Sequence, residues 1–131
     1  MSVTHVFPIY AAVGAIFGFF AVALGAFAAH LLKERVTSDK LAVFQTGVQY
    51  QMYHSLALIG VSLLQVRLSP SNPGVNLLGL AGLAFVLGIL LFSGSLYVLT
   101  FVKVRTVGLI TPLGGVLFLL GWVFVVLGAL H

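Results

Sequence analysis

The chain has 131 residues, of which 61% are hydrophobic and only 6% are charged, and its mean hydropathy is +1.22. Soluble proteins carry about 25% charged residues, so this composition excludes a water-soluble fold. The net charge is +4, but the basic residues flank apolar segments and form no nucleic-acid-binding face. Because Cys is absent, disulfides, thiolate metal sites and cysteine nucleophiles are excluded as well.

Four apolar segments predict four transmembrane helices, about residues 6–32, 39–67, 75–102 and 106–130, in a single domain covering 1–131. Pro8 falls in the first turn of helix 1, where proline is tolerated, and Thr37 or Ser38 is expected to cap helix 2. The cluster SPSNPG at 69–74 separates helices 2 and 3. Connections this short force antiparallel neighbours, so we expect an all-α, up-down-up-down four-helix bundle in the bilayer.

The basic residues predict the orientation of the bundle in the plasma (inner) membrane. Arg67 lies on one side, whereas the loops joining helices 1–2 and 3–4 share the other side and carry Lys33, Arg35, Lys40, Lys103 and Arg105. Loops rich in Lys and Arg stay in the cytoplasm, so loops 1–2 and 3–4 are expected to be cytoplasmic and both termini outside.

Small residues recur on helices 1 and 4 at intervals that place them on one face. The predicted packing positions are Gly14, Gly18, Gly25, Gly114, Gly121 and Gly128. Helices in lipid associate through close backbone approach at such stripes. No P-loop lysine or strand–turn–helix context accompanies these glycines, so they predict helix packing and not a phosphate-binding loop.

Polar residues inside the spans gather in the half nearest the basic loops. This candidate polar vestibule consists of His30, Gln45, Gln49, Tyr50, His54, Ser93, Ser95, Tyr97 and Thr111. The first half of helix 2 is polar on every face, and unpaired amides in hydrocarbon cost several kcal/mol each. We therefore expect this segment to be enclosed by the other helices, by a partner subunit or by a water-filled vestibule.

Two interpretations of this cluster follow from the residues: hydrogen bonds that only hold helices together, or a vestibule for a ligand or ion. His54 is expected near mid-bilayer, where two roles are open. It either carries a proton or binds a ligand, or it is a neutral core histidine with satisfied hydrogen bonds. His30 is expected at the interface, hydrogen-bonded to Gln45 or Gln49. Glu34 and Asp39 both belong to the first loop and its junction with helix 2, so no Asp or Glu lies within the apolar part of a span. The sequence therefore predicts no catalytic residue, metal site or cofactor.

Four stretches together carry a family resemblance: LGAFAAH (24–30), QTGVQYQMYH (45–54), LFSGSLY (91–97) and ITPLGG (110–115). They resemble the small multi-pass inner-membrane proteins of the YgdD and YwdK type, which are related to small eukaryotic four-helix transmembrane proteins. Ala28 and Gly47 depart slightly from the family's usual small residues. The resemblance implies a four-helix plasma-membrane protein of a domain-of-unknown-function family, without an established activity.

Three functional hypotheses follow. The first is a non-enzymatic, homo-oligomeric membrane protein whose vestibule binds or passes a small solute, ion or lipid headgroup. The second is an accessory or assembly subunit that packs against a larger membrane complex. The third, an intramembrane enzyme or redox protein, is disfavoured because carboxylates and thiols are missing from the spans.

Overall fold

The computed structural model describes residues 8–131, which form four long helices joined by short turns. Helix α1 covers Ile9–His30, α2 Ser38–Arg67, α3 Pro73–Phe101 and α4 Arg105–Ala129. No strand occurs within 8–131, and successive helices pack side by side. The predicted all-α, antiparallel four-helix bundle is confirmed. The predicted start of helix 1 at residue 6 lies outside the described residues.

Side-chain caps determine where α2 and α3 begin. Thr37 Oγ1 accepts a hydrogen bond from the Lys40 backbone N–H at 3.3 Å, so α2 starts at Ser38. Asn72 Oδ1 accepts from the Gly74 N–H at 2.8 Å, and Pro73 occupies the first helical position, where no N–H is required. The cap and the proline together start α3 two residues before the predicted position 75.

The end of α1 and the start of α4 also differ from the predicted bounds, whereas α2 ends at Arg67 as predicted. Helix α1 stops at His30, before the predicted 32, because the chain tightens into a 3₁₀ turn at Leu32–Glu34 that buries Leu32 against Ala28 and Phe44. Helix α4 starts with a separate short turn, Arg105–Gly108, before the regular segment Ile110–Ala129.

Helix α2 lies at the centre of the bundle. It packs against α1 on one side and α3 on the other, while α4 packs mainly against α3. The main core is formed by α2, α3 and α4 and contains Leu58, Leu78, Phe85, Ile89 and Phe118. The opposite faces of α1 and α4 expose large apolar side chains such as Phe19 and Leu119, as expected of helices that face lipid.

The glycines of α1 and α4 lie on the faces that contact other helices. On α1, Gly14 and Gly18 face Ser55 and Gly25 faces Val48, all across the contact with α2. On α4, Gly114 meets Phe92, Gly121 meets Phe85 and Gly128 meets Leu78, all across the contact with α3. Large side chains of α3 thus fill the space left by the glycines of α4, and the glycines of α1 allow a close approach to α2.

In the part of the chain that the structure describes, three helical segments are long and apolar enough to cross a membrane: Ile9–Glu34, Pro73–Phe101 and Arg105–Ala129. Helix α2 has 30 residues, enough for about 45 Å of helix, but it is more polar than the other three helices. Its polar residues therefore determine how it can be accommodated in a bilayer.

Helix α3 contains a five-residue π-helical turn, Ile89–Ser93, that the sequence prediction of a continuous helix does not include. The wider turn brings the Phe92 backbone against Gly114 of α4. Ser95 Oγ donates to the Phe92 carbonyl at 2.9 Å and so bonds a carbonyl of the irregular turn. The π turn thus lies where α3 approaches both α2 and α4.

Candidate functional site

The structure divides the polar residues of α2 into an inner and an outer set. Gln51, His54 and Ser55 are buried in the bundle, at 4%, 4% and 1% exposure. Gln45 and Gln49 are exposed on the opposite side of the helix. The polar residues predicted as one cluster on α2 therefore fall into two sets, one inside the bundle and one on its surface.

Gln51 links three helices through its amide. Its Nε2 donates to the Phe17 carbonyl of α1 at 2.8 Å, and its Oε1 accepts from the Tyr97 hydroxyl of α3 at 2.6 Å. Ser55 Oγ, one turn further on, donates to the Gln51 main-chain carbonyl at 2.5 Å. The arrangement fixes α2 in register with both neighbours, because the single amide supplies a donor to one helix and an acceptor to the other.

Hydroxyl groups of α3 connect it to α2 and α4. Ser93 Oγ, fully buried, donates to the Gly47 carbonyl at 2.7 Å. Ser95 Oγ lies 2.5 Å from Thr111 Oγ1 and joins α3 to α4. At Gly47 a Cβ would come within 2.8 Å of the Tyr97 ring, so glycine leaves the space in which that ring packs.

His54 occupies the junction of α2, α3 and α4. The Trp122 indole N–H donates to His54 Nε2 at 3.1 Å, and Nδ1 lies 2.7 Å from the Tyr50 carbonyl. An indole N–H can only donate, so Nε2 accepts and the ring proton is on Nδ1, where it bonds Tyr50. The Phe118 ring stacks on the imidazole with centroids 3.6 Å apart. Both nitrogens are therefore engaged, as in a core histidine with satisfied hydrogen bonds.

The outward side of α2, here called the α2 outer face, consists of Gln45, Gln49, Tyr53, Leu56 and Leu63, all exposed. It is polar in the half nearest the basic loops and apolar beyond it. The side chains of Gln45 and Gln49 form no hydrogen bond with residues 8–131. His30 is exposed at the end of α1 and does not bond either glutamine.

Comparison with known proteins identifies the family. Residues 24–115 match the model of DUF423, described as a protein of unknown function. The chain belongs to the DUF423 family. It is 44% identical to the UPF0382 membrane protein YwdK of Bacillus subtilis, over 92% of this chain and 95% of that protein. It is 40% identical to the UPF0382 inner membrane protein YgdD of Escherichia coli, over 89% and 86%. No solved structure gives a significant match.

This DUF423 chain is thus a multi-pass membrane protein, in agreement with the predicted family and environment. Among residues 8–131, no group of three His, Asp or Glu side chains could hold a metal ion. The structure bonds Tyr97 to Gln51 and Ser93 to the Gly47 carbonyl, and it pairs Ser95 with Thr111. It leaves His30, Gln45 and Gln49 on the surface, with Tyr50 38% exposed between the two sets.

Sequence reasoning omitted two members of the inner network of this DUF423 protein, Gln51 and Trp122. Gln51 belongs to the polar half of α2, but that half is polar on all faces, so helical periodicity cannot show which glutamine points inward. Trp122 lies among apolar residues of α4, so its sequence context gives no sign that the indole N–H bonds His54. Such contacts depend on rotamers that spacing alone does not specify.

Removing the Tyr97 hydroxyl should test this network. Tyr97→Phe leaves Gln51 Oε1 without its donor, so we expect the free energy of unfolding to fall by about 1 kcal/mol. Unfolding in detergent can be followed by the fluorescence of Trp122, the single tryptophan. Tyr53→Phe, on the α2 outer face, is the matched control and should change stability by less than about 0.5 kcal/mol. Equal effects of the two variants would contradict the assignment.

Proposed function

We propose that this chain is a non-enzymatic protein of the plasma (inner) membrane that acts by lateral assembly with another transmembrane helix at the α2 outer face. The observation that carries the proposal is the outward position of two amides, Gln45 and Gln49, without partners in residues 8–131. Hydrocarbon supplies no hydrogen-bond donor or acceptor, so these amides favour contact with another polar transmembrane surface.

The depth of these amides supports the proposal. Helix α2 is about 45 Å long and the hydrocarbon core about 30 Å thick, so about 7 Å of helix extends beyond the core at each end. Gln45 follows Ser38 by about 10 Å of helix and lies about 3 Å inside the core, whereas Gln49 follows Ser38 by about 16 Å and lies about 9 Å inside. An amide at that depth costs several kcal/mol when unpaired. Burial against a partner removes that cost.

A second copy of the chain is the partner that fits this surface best. Chains inserted in one orientation present the same residues at the same depth, so two α2 outer faces place glutamine opposite glutamine. A glutamine amide carries both a donor and an acceptor, so a pair of them can satisfy each other across a two-fold axis. A larger membrane complex with a polar helix at this depth is the accessory-subunit alternative.

Two observations support a position for the proposed solute vestibule between copies of the chain. Inside the bundle, the hydroxyls of Ser55 and Ser93 donate to main-chain carbonyls and His54 is bonded through both nitrogens. Gln45, Gln49 and His30, in contrast, are on the surface near the basic loops. A vestibule for a solute, ion or headgroup would therefore lie between copies of the chain, at the same face that drives assembly.

The engaged state of the inner groups supports a non-enzymatic role. A nucleophilic hydroxyl needs a neighbouring base, but Ser55 and Ser93 donate to carbonyl groups. We further infer that the basic loops lie in the cytoplasm and both termini outside. Lys33, Arg35, Lys103 and Arg105 are exposed at one end of the bundle, which supports that orientation.

Cross-linking in membranes tests the assembly, because the chain has no native cysteine. Tyr53→Cys places a thiol on the α2 outer face, and Val22→Cys places one on the lipid-facing side of α1, at 54% and 63% exposure of the native residues. We expect the Tyr53→Cys chain to cross-link to a second copy and the Val22→Cys chain to stay monomeric.

Adding Gln45→Leu and Gln49→Leu to the Tyr53→Cys chain should weaken the cross-link about thirtyfold, since the two lost amide pairs contribute about 1 kcal/mol each. The bundle should remain folded because both side chains point away from it. A Tyr53→Cys cross-link to a different protein would favour the accessory role. Cross-linking that is insensitive to both leucine substitutions would contradict the proposal.

A further inference from the structure

An open groove of about 530 Å³ lies at the end of the bundle opposite the basic loops. It is bordered by the start of α1, the end of α2 and the start of α3, and its lining includes Tyr10, Gln65, Asn76, Leu80 and Leu83. The volume falls within the range of small-molecule binding sites. The groove shares no residue with the α2 outer face, so it is independent of the assembly proposed above.

Polar groups at one end of the groove have unused hydrogen-bonding capacity. Gln65 is 7% exposed, and its Nε2 donates to the Val75 carbonyl at 3.1 Å, which leaves Oε1 as an unused acceptor. The Tyr10 hydroxyl donates to the Gly79 carbonyl at 2.8 Å and can still accept. Asn76 is exposed and its side chain forms no hydrogen bond within residues 8–131.

Gln65 Oε1 is not sealed inside the protein. Among residues 8–131, the fully buried side-chain atom that lacks a partner is Ser62 Oγ, one turn away on α2. Gln65 Oε1 also lacks a partner but does not share that complete burial, and its side chain lines the groove. A buried amide held by one hydrogen bond thus offers its second atom to whatever occupies the groove.

The other end of the groove is apolar and opens sideways. Leu80 and Leu83 line it and are 46% and 49% exposed, on the surface that faces lipid. From Asn76 to Leu83 the helix rises about 10 Å. Since α3 begins at Pro73, Asn76 is at interfacial depth and Leu83 within the hydrocarbon. From the membrane interface towards the hydrocarbon, the groove is therefore first polar and then apolar, as a phospholipid is from its headgroup to its acyl chains.

We propose that this groove binds one phospholipid, with an acyl chain against Leu80 and Leu83 and the headgroup at Gln65 and Asn76. The amide oxygens of Gln65 and Asn76 are unused acceptors, so the site favours headgroups that carry N–H or O–H donors, such as ethanolamine or glycerol. The Asn76 amide N–H groups can donate to the phosphate, which every phospholipid carries. Choline has neither donor and leaves Gln65 Oε1 unpaired. A site whose acceptor bonds a donor on the headgroup binds a headgroup without that donor more weakly, because the hydrogen bond is lost.

Lipid retention by the purified full-length protein tests the proposal. Phosphatidylethanolamine and phosphatidylcholine with identical acyl chains are supplied at equal amounts in detergent, and bound lipid is measured by native mass spectrometry. We expect about threefold to tenfold more bound phosphatidylethanolamine, the ratio that one hydrogen bond provides. Equal retention of the two lipids would overturn the headgroup assignment.

Gly79→Leu should block the groove. A Cβ at Gly79 would meet Gln65 Nε2 at 3.6 Å, an ordinary contact, and the longer side chain would then occupy the groove. Gly60→Leu is the matched control, because a Cβ there has no neighbour within 4 Å. We expect Gly79→Leu to abolish the preference for phosphatidylethanolamine and Gly60→Leu to preserve it. Identical lipid binding by the two variants would overturn the site.

Asn76→Leu is the second variant, which decides the outcome if Gly79→Leu does not fold. Asn76 is exposed, and replacing it removes no hydrogen bond within residues 8–131. We expect this variant to retain lipid with its preference for phosphatidylethanolamine reduced by about half, because Gln65 Oε1 remains as an acceptor. An unchanged preference would overturn the role of this end of the groove. Since the Gln45 and Gln49 variants leave the groove intact, failure here and failure of the assembly are distinguishable.

Discussion

Replacing Gly114 with Ala should lower the free energy of unfolding by about 1 to 3 kcal/mol, the range for overpacking a well-packed interior. A Cβ at this position would overlap the backbone nitrogen of Phe92 and lie 2.7 Å from its Cα and Cβ. These atoms belong to the π turn of α3 and cannot move aside by a change of rotamer. The two helices must therefore separate.

The adjacent residue provides the control for this prediction. At Gly115 the nearest atom to a Cβ is Phe92 Cδ2 at 3.9 Å, so Gly115→Ala should leave stability nearly unchanged while making the same gain in helix propensity. The fluorescence of Trp122 on α4 reports on the contact between α3 and α4, because its ring centroid is 5.0 Å from that of Phe85 on α3. A fluorescence-detected transition that shifts equally in both variants would show that α3 and α4 do not approach closely at Gly114.

How far the sequence predicts this structure depends on the scale considered. Hydropathy and breaker residues predict four helices, and the caps at Thr37 and Asn72 account for where α2 and α3 begin. The π turn at Ile89–Ser93 is not predicted. Nothing in ILLFS differs from a regular apolar helix, and the turn is associated with tertiary contacts, in particular the approach of Phe92 to Gly114.

The candidate site shows a further limit of sequence-based prediction. Depth along a helix follows from residue number, so the sequence correctly gathers polar residues in one half of α2. The direction of each side chain depends on which neighbour offers a partner, and in a segment polar on every face the periodicity gives no answer. Gln51 points inward to Phe17 and Tyr97, whereas Gln49, two residues earlier, points outward.

This arrangement gives α2 two structural roles. Its inner polar groups bond α1, α3 and α4, and these bonds specify register in a bilayer, where apolar packing alone distinguishes helix positions weakly. Its outer amides have no hydrogen-bond partner within residues 8–131 and belong to the surface proposed for assembly. A helix with fewer polar residues would insert more favourably, but it would lose the bonds that hold its neighbours and the proposed means of assembly.

Gly14→Ala, at the contact between α1 and α2, should lower the free energy of unfolding by about as much as Gly114→Ala. A Cβ at Gly14 would lie 2.6 Å from the Ser55 carbonyl oxygen and 3.0 Å from Leu58 Cβ, so α1 must move away from α2. We expect a loss of about 1 to 3 kcal/mol in the free energy of unfolding. Gly18→Ala is the control, because its nearest neighbour, Ser55 Cβ, is at 3.8 Å.

A thiol pair can detect the movement of α1 directly. A Cβ at Gly25 is 3.4 Å from Val48 Cγ1, so Gly25→Cys with Val48→Cys should form a disulfide across the two helices. Gly14→Ala should slow its formation, and Gly18→Ala should not. The movement also lengthens the bond from Gln51 Nε2 to the Phe17 carbonyl. The combined effect of Gly14→Ala and Gln51→Leu should then be smaller than the sum of their separate effects, because both weaken the same contact.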